Sequence, residues 1–275
     1  MLFTSIIWGF AFVAQRVGMA HIGPFTFNGI RFGLGALALV PVLSLFRSSG
    51  TLSKSRRIAQ GAATGVVLFA AASLQQVGLV YTTAGKAGFI TGFYVVMVPI
   101  IGVMRRQRVS RGAILGVALA VIGMYLLTVK ENLSIGAGDL VVLAGAFFWA
   151  IHVQMIDAFN KTMHALELAF MQSVVCAVLS GIVAVWREPV TMPGVRSAAV
   201  PLLYAGVCSV GIAYTLQVIA QKRVPPTHAA IILSMESVFA LLGGWLMIGE
   251  TLSLRALCGC ALMLAGMISV HVVKR

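Results

Sequence analysis

Long apolar runs, broken at intervals by clusters of arginine, lysine, glycine and proline, organise this chain. A helix rises about 1.5 Å per residue, so about 20 mainly apolar residues are needed to cross about 30 Å of hydrocarbon. The runs that meet this need are 2–20, 25–46, 58–81, 84–104, 112–129, 139–159, 165–186, 199–221, 226–248 and 254–273. The third and fourth are joined so closely at Thr82 and Thr83 that they must form a helical hairpin. Gly23-Pro24, Pro189 and Pro193-Gly194 mark ends, and Pro225-Pro226 opens the ninth run, where proline lacks only a donor that would be unpaired anyway. The predicted class is an all-α membrane protein with ten transmembrane helices.

Composition agrees: 60% of residues are hydrophobic and 10% charged, with a mean hydropathy of +1.00, outside the range of a soluble domain. A net charge of +13 raises the question of nucleic acid. The basic residues fall in short clusters between apolar runs, not in stripes interleaved with aromatics, so the expected partners are membrane lipids and a small molecule, not nucleic acid. Cys176, Cys208, Cys258 and Cys260 lie in apolar stretches, where free cysteine behaves as a small hydrophobe; no metal or cofactor is expected. Residues 1–20 have no basic leader, so they read as a true span and not a signal peptide. A few native residues are expected to precede them.

Charge also orients the spans, since cytoplasmic loops collect lysine and arginine. With the N-terminus inside, the cytoplasmic side holds Arg47, Lys54, Arg56, Arg57, Arg105, Arg106, Arg108, Arg111, Lys161, Lys222, Arg223, Lys274 and Arg275. The other side holds Lys130, Arg187, Arg196 and Arg255. Both termini are therefore expected in the cytoplasm.

An internal repeat is legible. Trp8 matches Trp149, Ser73 Thr215, Gln75 Gln217, Ser110 Ser253, Gly116 Gly259 and Gly123 Gly266, at separations that stay between 141 and 143. Two five-helix units follow, 1–130 and 131–275. An odd number of spans per unit makes the second enter the membrane from the opposite side, giving an inverted repeat around a midplane site. The basic loop 105–111 then corresponds to 249–255, which keeps Ser253 but loses most of the charge. Glycines seven apart on the fifth and tenth runs predict a close-packed scaffold pair, leaving the other eight spans for the site.

Ionisable residues at membrane depth cost roughly 2.5–3.5 kcal/mol on insertion scales and face a cavity or a partner by default. Glu236 lies at the midplane of the ninth span and would pair with Arg31 or an amide, carry a proton, or bind an ammonium group. Lys86 stands near the outer end of the fourth span, where it either faces a cavity or snorkels to headgroups. Arg31 is read as a helix pin or headgroup ligand. Trp8, Phe12 and Gln15 share one face of the first span, and Trp149 with His152 repeats that arrangement. Gln75, Tyr81, Phe89, Phe93, Tyr214 and Gln217 complete the candidate cavity wall. Aromatic stripes are more often packing than a ligand box, and His152 alone reads as a core histidine; the duplicated placement tips the balance towards a cavity.

The segments "WGFAFVAQRVG", "YTTAGKAGFITGFYVVMVPIIGV", "WAIHVQMI" and "THAAIILSMESVFALLGGWLMIGETLS" resemble the EamA branch of the drug/metabolite transporter superfamily, including the bacterial amino acid and metabolite exporters of the YddG type. The resemblance covers nearly the whole chain. It implies a bacterial inner-membrane exporter with alternating access through a cavity lined mainly by spans 1, 3, 4, 6, 8 and 9. The family often has proline after the carboxylate of span nine; here Ser237 follows Glu236 while span four keeps Pro99, which predicts a straighter span nine.

The functional expectation is a secondary transporter of small amphipathic metabolites, foremost amino acids, with other metabolites or drugs as the alternative. No Walker motif is present, and proton antiport and facilitated diffusion are equally permitted. An intramembrane enzyme would want clustered carboxylates and histidines, but Asp139 and Asp157 lie at opposite ends of one span. A non-transporting receptor would bind without flux. Oligomeric state is not legible.

Overall fold

The computed structural model describes residues 1–45, 53–82, 84–128, 136–248 and 253–273. Thr83 of the hairpin lies outside that set, as do most of the 249–255 loop and Arg47, Lys130, Lys274 and Arg275 among the orienting charges.

Among the described residues every regular element is helical: α1 (Leu2–Gly18), α2 (Pro24–Leu45), α3 (Lys54–Tyr81), α4 (Ala84–Gly92), α5 (Tyr94–Met104), α6 (Arg111–Thr128), α7 (Ala137–Phe159), α8 (Ala165–Arg187), α9 (Met192–Ser197), α10 (Ala199–Leu203), a π-helical segment (Tyr204–Tyr214), α11 (Thr215–Ala220), α12 (Pro226–Leu233), α13 (Glu236–Ile248) and α14 (Leu254–Val272). Among the described residues, seven stretches are long and apolar enough to cross a bilayer: Pro24–Ser44, Lys54–Tyr81, Lys86–Met104, Ala137–Phe159, Ala165–Arg187, Ala199–Ala220 and Pro226–Met247. Leu2–Gly18, Arg111–Leu126 and Leu254–Val270 are apolar but shorter. Exposed Leu37, Ile122, Val185, Trp186 and Val200 face outwards, a surface that suits lipid and not water.

Two of the expected continuous spans are broken at midcourse. Between α4 and α5, Phe93 N–H bonds Ile90 O at 3.1 Å, a tighter turn than the α-helix makes. Between α12 and α13, Met235 N–H bonds Ile232 O at 3.3 Å and Ser237 N–H bonds Ser234 O at 3.1 Å. The expectation of a straighter ninth span is thus corrected: it breaks without a proline. Ser234 Oγ donates to Ile231 O at 2.8 Å and Ser237 Oγ crosses to Gly88 O at 3.0 Å, so serine hydroxyls and a neighbouring helix hold the irregular backbone. The eighth span departs further, widening into the π-helical segment, which is tied to α1 by Tyr204 Oη donating to Ile7 O at 3.0 Å.

Packing places α3 against α7 and α8, α2 against α8 and the π-helical segment, and α1 against α13. The glycine seams pack α6 on α14. A methyl group at Gly116 would come within 2.8 Å of Gly266 O, and one at Gly123 within 2.6 Å of Gly259 O. Pairing 116 with 266 and 123 with 259 makes the two helices antiparallel. At the start of α2, Glu188 accepts from Phe25 N–H (2.8 Å), Thr26 N–H (2.7 Å) and the Thr26 hydroxyl (2.6 Å), satisfying donors that the first helical turn leaves open.

Candidate functional site

Where the interrupted helices meet, a narrow pocket opens, with a cavity volume of about 30 Å³. Its lining comes from α1 (Trp8, Ala11, Phe12, Gln15), α2 (Arg31), α3 (Gln75), α4 and α5 (Thr91, Tyr94), α7 (Trp149, Val153), the π-helical segment (Ser209, Tyr214), α11 (Gln217), α12 (Leu233) and α13 (Glu236). Among the described residues the α6–α14 pair contributes nothing to it.

One wall is aromatic. The Tyr214 ring lies 4.7 Å from Trp8, 6.0 Å from Trp149 in a stacked arrangement, and 5.8 Å from Phe32. These rings are held by their polar tips. Trp149 Nε1 donates to Gln75 Oε1 at 2.7 Å, and Trp8 Nε1 donates to Ser209 O at 3.3 Å, a carbonyl on the π-helical segment. Each indole thus presents its face while its N–H is occupied.

The remaining wall is polar and under-bonded. Glu236 is 4% exposed and sits at the first residue of α13 with its carboxyl group turned to the Tyr94 hydroxyl; neither Glu236 Oε1 nor that hydroxyl makes a hydrogen bond within 3.5 Å among the described residues. Gln15 spends its amide N–H on Ala11 O at 3.1 Å and leaves Oε1 without a partner; Gln217 Oε1 is likewise unpartnered. Arg31 is 2% exposed, with its guanidinium 4.9 Å from the Phe32 ring centre and 5.8 Å from that of Phe27. Reading Arg31 as a headgroup ligand is therefore corrected: the side chain turns inwards across its own helix's aromatics. No ion pair joins Arg31 to Glu236. Buried polar groups in this number call for water or a ligand to complete their bonds.

Of the residues expected in the cavity, Trp8, Phe12, Gln15, Gln75, Trp149, Tyr214, Gln217 and Glu236 line the pocket. Tyr81, Lys86, Phe89, Phe93 and His152 are placed elsewhere. His152 sits behind the wall, fully buried, with Nε2 2.9 Å from Gln172 Oε1 and its ring edge-on to Trp149 and Tyr214. Phe89 and Phe93 pack edge to face, 5.2 Å apart, around the α4–α5 break. Tyr81 is 75% exposed at the end of α3.

Lys86 belongs to a separate cluster at one end of the bundle, where its Nζ meets Asp139 Oδ2 at 2.5 Å. Asp139 also accepts from Thr82 Oγ1 and Gly136 N–H, both at 2.8 Å, and Arg16 donates to the carbonyls of Leu79 and Thr82. The arginine thereby covers open carbonyls at the C-terminus of α3.

Thr91, Tyr94, Ser209 and the inward Arg31 were not singled out as site residues beforehand. Tyr94 was findable: it stands 142 residues before Glu236, within the repeat spacing. Ser209 was not, because its contribution is a backbone carbonyl exposed by a π-turn.

The chain matches the EamA-like transporter family model twice, over residues 1–129 and 136–271. It is 31% identical to a protein named "uncharacterized transporter" from Archaeoglobus fulgidus, over 97% of this chain and 82% of that protein. It is 24% identical to a Salmonella typhimurium protein named "probable amino-acid metabolite efflux pump", over 97% of this chain and 91% of that one. A solved crystal structure superposes with a TM-score of 0.81 at 18% identity, covering 98% of this chain and 94% of that chain, which speaks to the fold. With its long apolar helices and this match across nearly its whole length, the chain is a multi-pass membrane protein and belongs to the EamA-like transporter family.

Proposed function

We propose that this protein is a secondary transporter that exports small amphipathic metabolites, foremost amino acids, by alternating access through the pocket between α1, α3, α5, α7, the π-helical segment and α13. The observation that carries the reading is the pocket itself: an aromatic wall beside under-bonded Gln15 and Gln217 and the facing Tyr94–Glu236 pair, deep in a membrane protein. Aromatic faces bury a ligand's apolar part while a few fixed polar groups orient it. The relative named as an amino-acid metabolite efflux pump supports the substrate class.

In this reading the shorter helices α1, α6 and α14 also cross the membrane, giving ten spans arranged as two inverted five-helix units, 1–130 and 131–275. Several features support that arrangement. The breaks at Phe93 and Met235 fall at matching repeat positions, the α6–α14 seam is antiparallel, and α1 packs on α13 much as α7 packs on α4 and α5. Broken helices at equivalent places in inverted halves are where transporters of this design bind substrate. Both termini lie in the cytoplasm of a bacterial inner membrane, on the side that collects arginine and lysine.

Proteoliposomes loaded with unlabelled phenylalanine should accumulate labelled phenylalanine or tryptophan above protein-free vesicles. Repeating the assay with an imposed pH gradient separates proton antiport from facilitated diffusion. Saturable binding without flux would replace the transporter with a receptor.

A further inference from the structure

Arg31 and Glu236, a basic and an acidic side chain, line one pocket without meeting. Each is more than nine-tenths buried, and neither has an ionic partner among the described residues. Arg31 Nε lacks a hydrogen-bond partner, as does Glu236 Oε1. The aromatics beneath the guanidinium, Phe27 and Phe32, supply attraction for the cation's face but accept none of its N–H donors.

Desolvated charges without partners are costly, and a chain with no use for them would close the pair or lose it. Here they are held apart on separate elements, α2 and α13, with the Tyr214–Trp8–Trp149 aromatic wall lining the same pocket. A ligand that completes both must carry an anion and a cation on one small body. Its third part must be apolar.

We infer that Arg31 is the carboxylate anchor of the transport site and Glu236 its ammonium anchor, so that the pocket selects zwitterions with an apolar side chain and rejects singly charged analogues. The inference rests on the transport reading above and names the recognition chemistry within it. Lys86 is engaged with Asp139 and does not line the pocket. Guanidinium suits that role, since its planar fork can grip both carboxylate oxygens at once.

The test is competition against labelled phenylalanine flux in proteoliposomes by three compounds: phenylalanine, phenethylamine, which lacks the carboxylate, and 3-phenylpropionate, which lacks the ammonium. For the wild type, each singly charged compound should compete at least about tenfold more weakly than phenylalanine, the scale of a lost charge-assisted hydrogen bond. In Arg31→Gln the gap between phenylalanine and phenethylamine should collapse to about twofold or less, while the gap to 3-phenylpropionate persists; Glu236→Gln should give the mirror image. Ligand-induced thermal stabilisation of each variant reads the same ratios where flux is too slow.

If Arg31→Gln does not fold, Arg31→Lys carries the test, and its discrimination against phenethylamine should fall several-fold because a point cation replaces the fork. A wild type that takes phenethylamine as readily as phenylalanine, or an Arg31 variant with the wild-type ratio, overturns the inference while leaving transport standing. A wild type that moves no amino acid removes the transport reading beneath it.

Discussion

Lys86 and Asp139 join the two halves of the sequence at one end of the bundle, Nζ to Oδ2 at 2.5 Å, with the lysine side chain 31% exposed and the aspartate 6%. The aspartate is the more dependent partner, since it also holds Thr82 and Gly136. Asp139→Asn should lower stability by about 1–3 kcal/mol, read as a fall in melting temperature in detergent, because the buried carboxylate that accepts the charge-assisted bond from Lys86 becomes a neutral amide. The exchange Lys86→Asp with Asp139→Lys should recover part of that loss in a double-mutant cycle. If the halves rock during transport, cysteines at 86 and 139 should block flux when cross-linked and restore it on reduction.

Glu188 reaches from the end of α8 to the first turn of α2, where three donors converge on its carboxylate. Glu188→Ala leaves those donors open, and a lost N-terminal cap costs about 0.5–2 kcal/mol. Thermal unfolding should register the loss. Because α2 carries Arg31, the half-saturating substrate concentration should rise more than the maximal rate falls.

The glycine seam separates close approach from mere helix composition. Gly116 lies against the Gly266 carbonyl, whereas a methyl group at Gly33 would meet nothing within 4 Å. Gly116→Ala should destabilise the protein by about 1–3 kcal/mol through overpacking against backbone. Gly33→Ala should be neutral or stabilising by up to about 1 kcal/mol, since it only removes chain freedom inside a helix. Equal effects from both would mean that the α6–α14 seam is not a tight contact.

Element positions were legible because apolar runs bounded by glycine, proline and basic clusters admit few alternatives; α3, α7 and α8 begin and end within a few residues of expectation. Pro99 made a departure in span four legible; the break at Met235, held by serine hydroxyls and a neighbouring helix without a proline, and the π-helical segment were not. Residues that combine burial with polarity, such as Gln75 and Glu236, stood out. Lys86, Tyr81 and Phe93 lie outside the pocket for another reason. In helices apolar on every side, periodicity says little about which face meets the pocket, and a residue one turn from a helix end is drawn into the interfacial network there. Arg31 shows the converse: a charge that looked peripheral is turned inwards over Phe27 and Phe32.

The most direct test of transport through this pocket compares phenylalanine counterflow by wild-type protein and by Glu236→Gln, reconstituted side by side and matched for melting temperature. The account predicts saturable accumulation by the wild type and roughly a tenfold or greater loss in the variant, the scale of a charge-assisted contact removed at a dry site. Wild-type flux no higher than in empty vesicles, or a variant that transports as fast as the wild type, would contradict it.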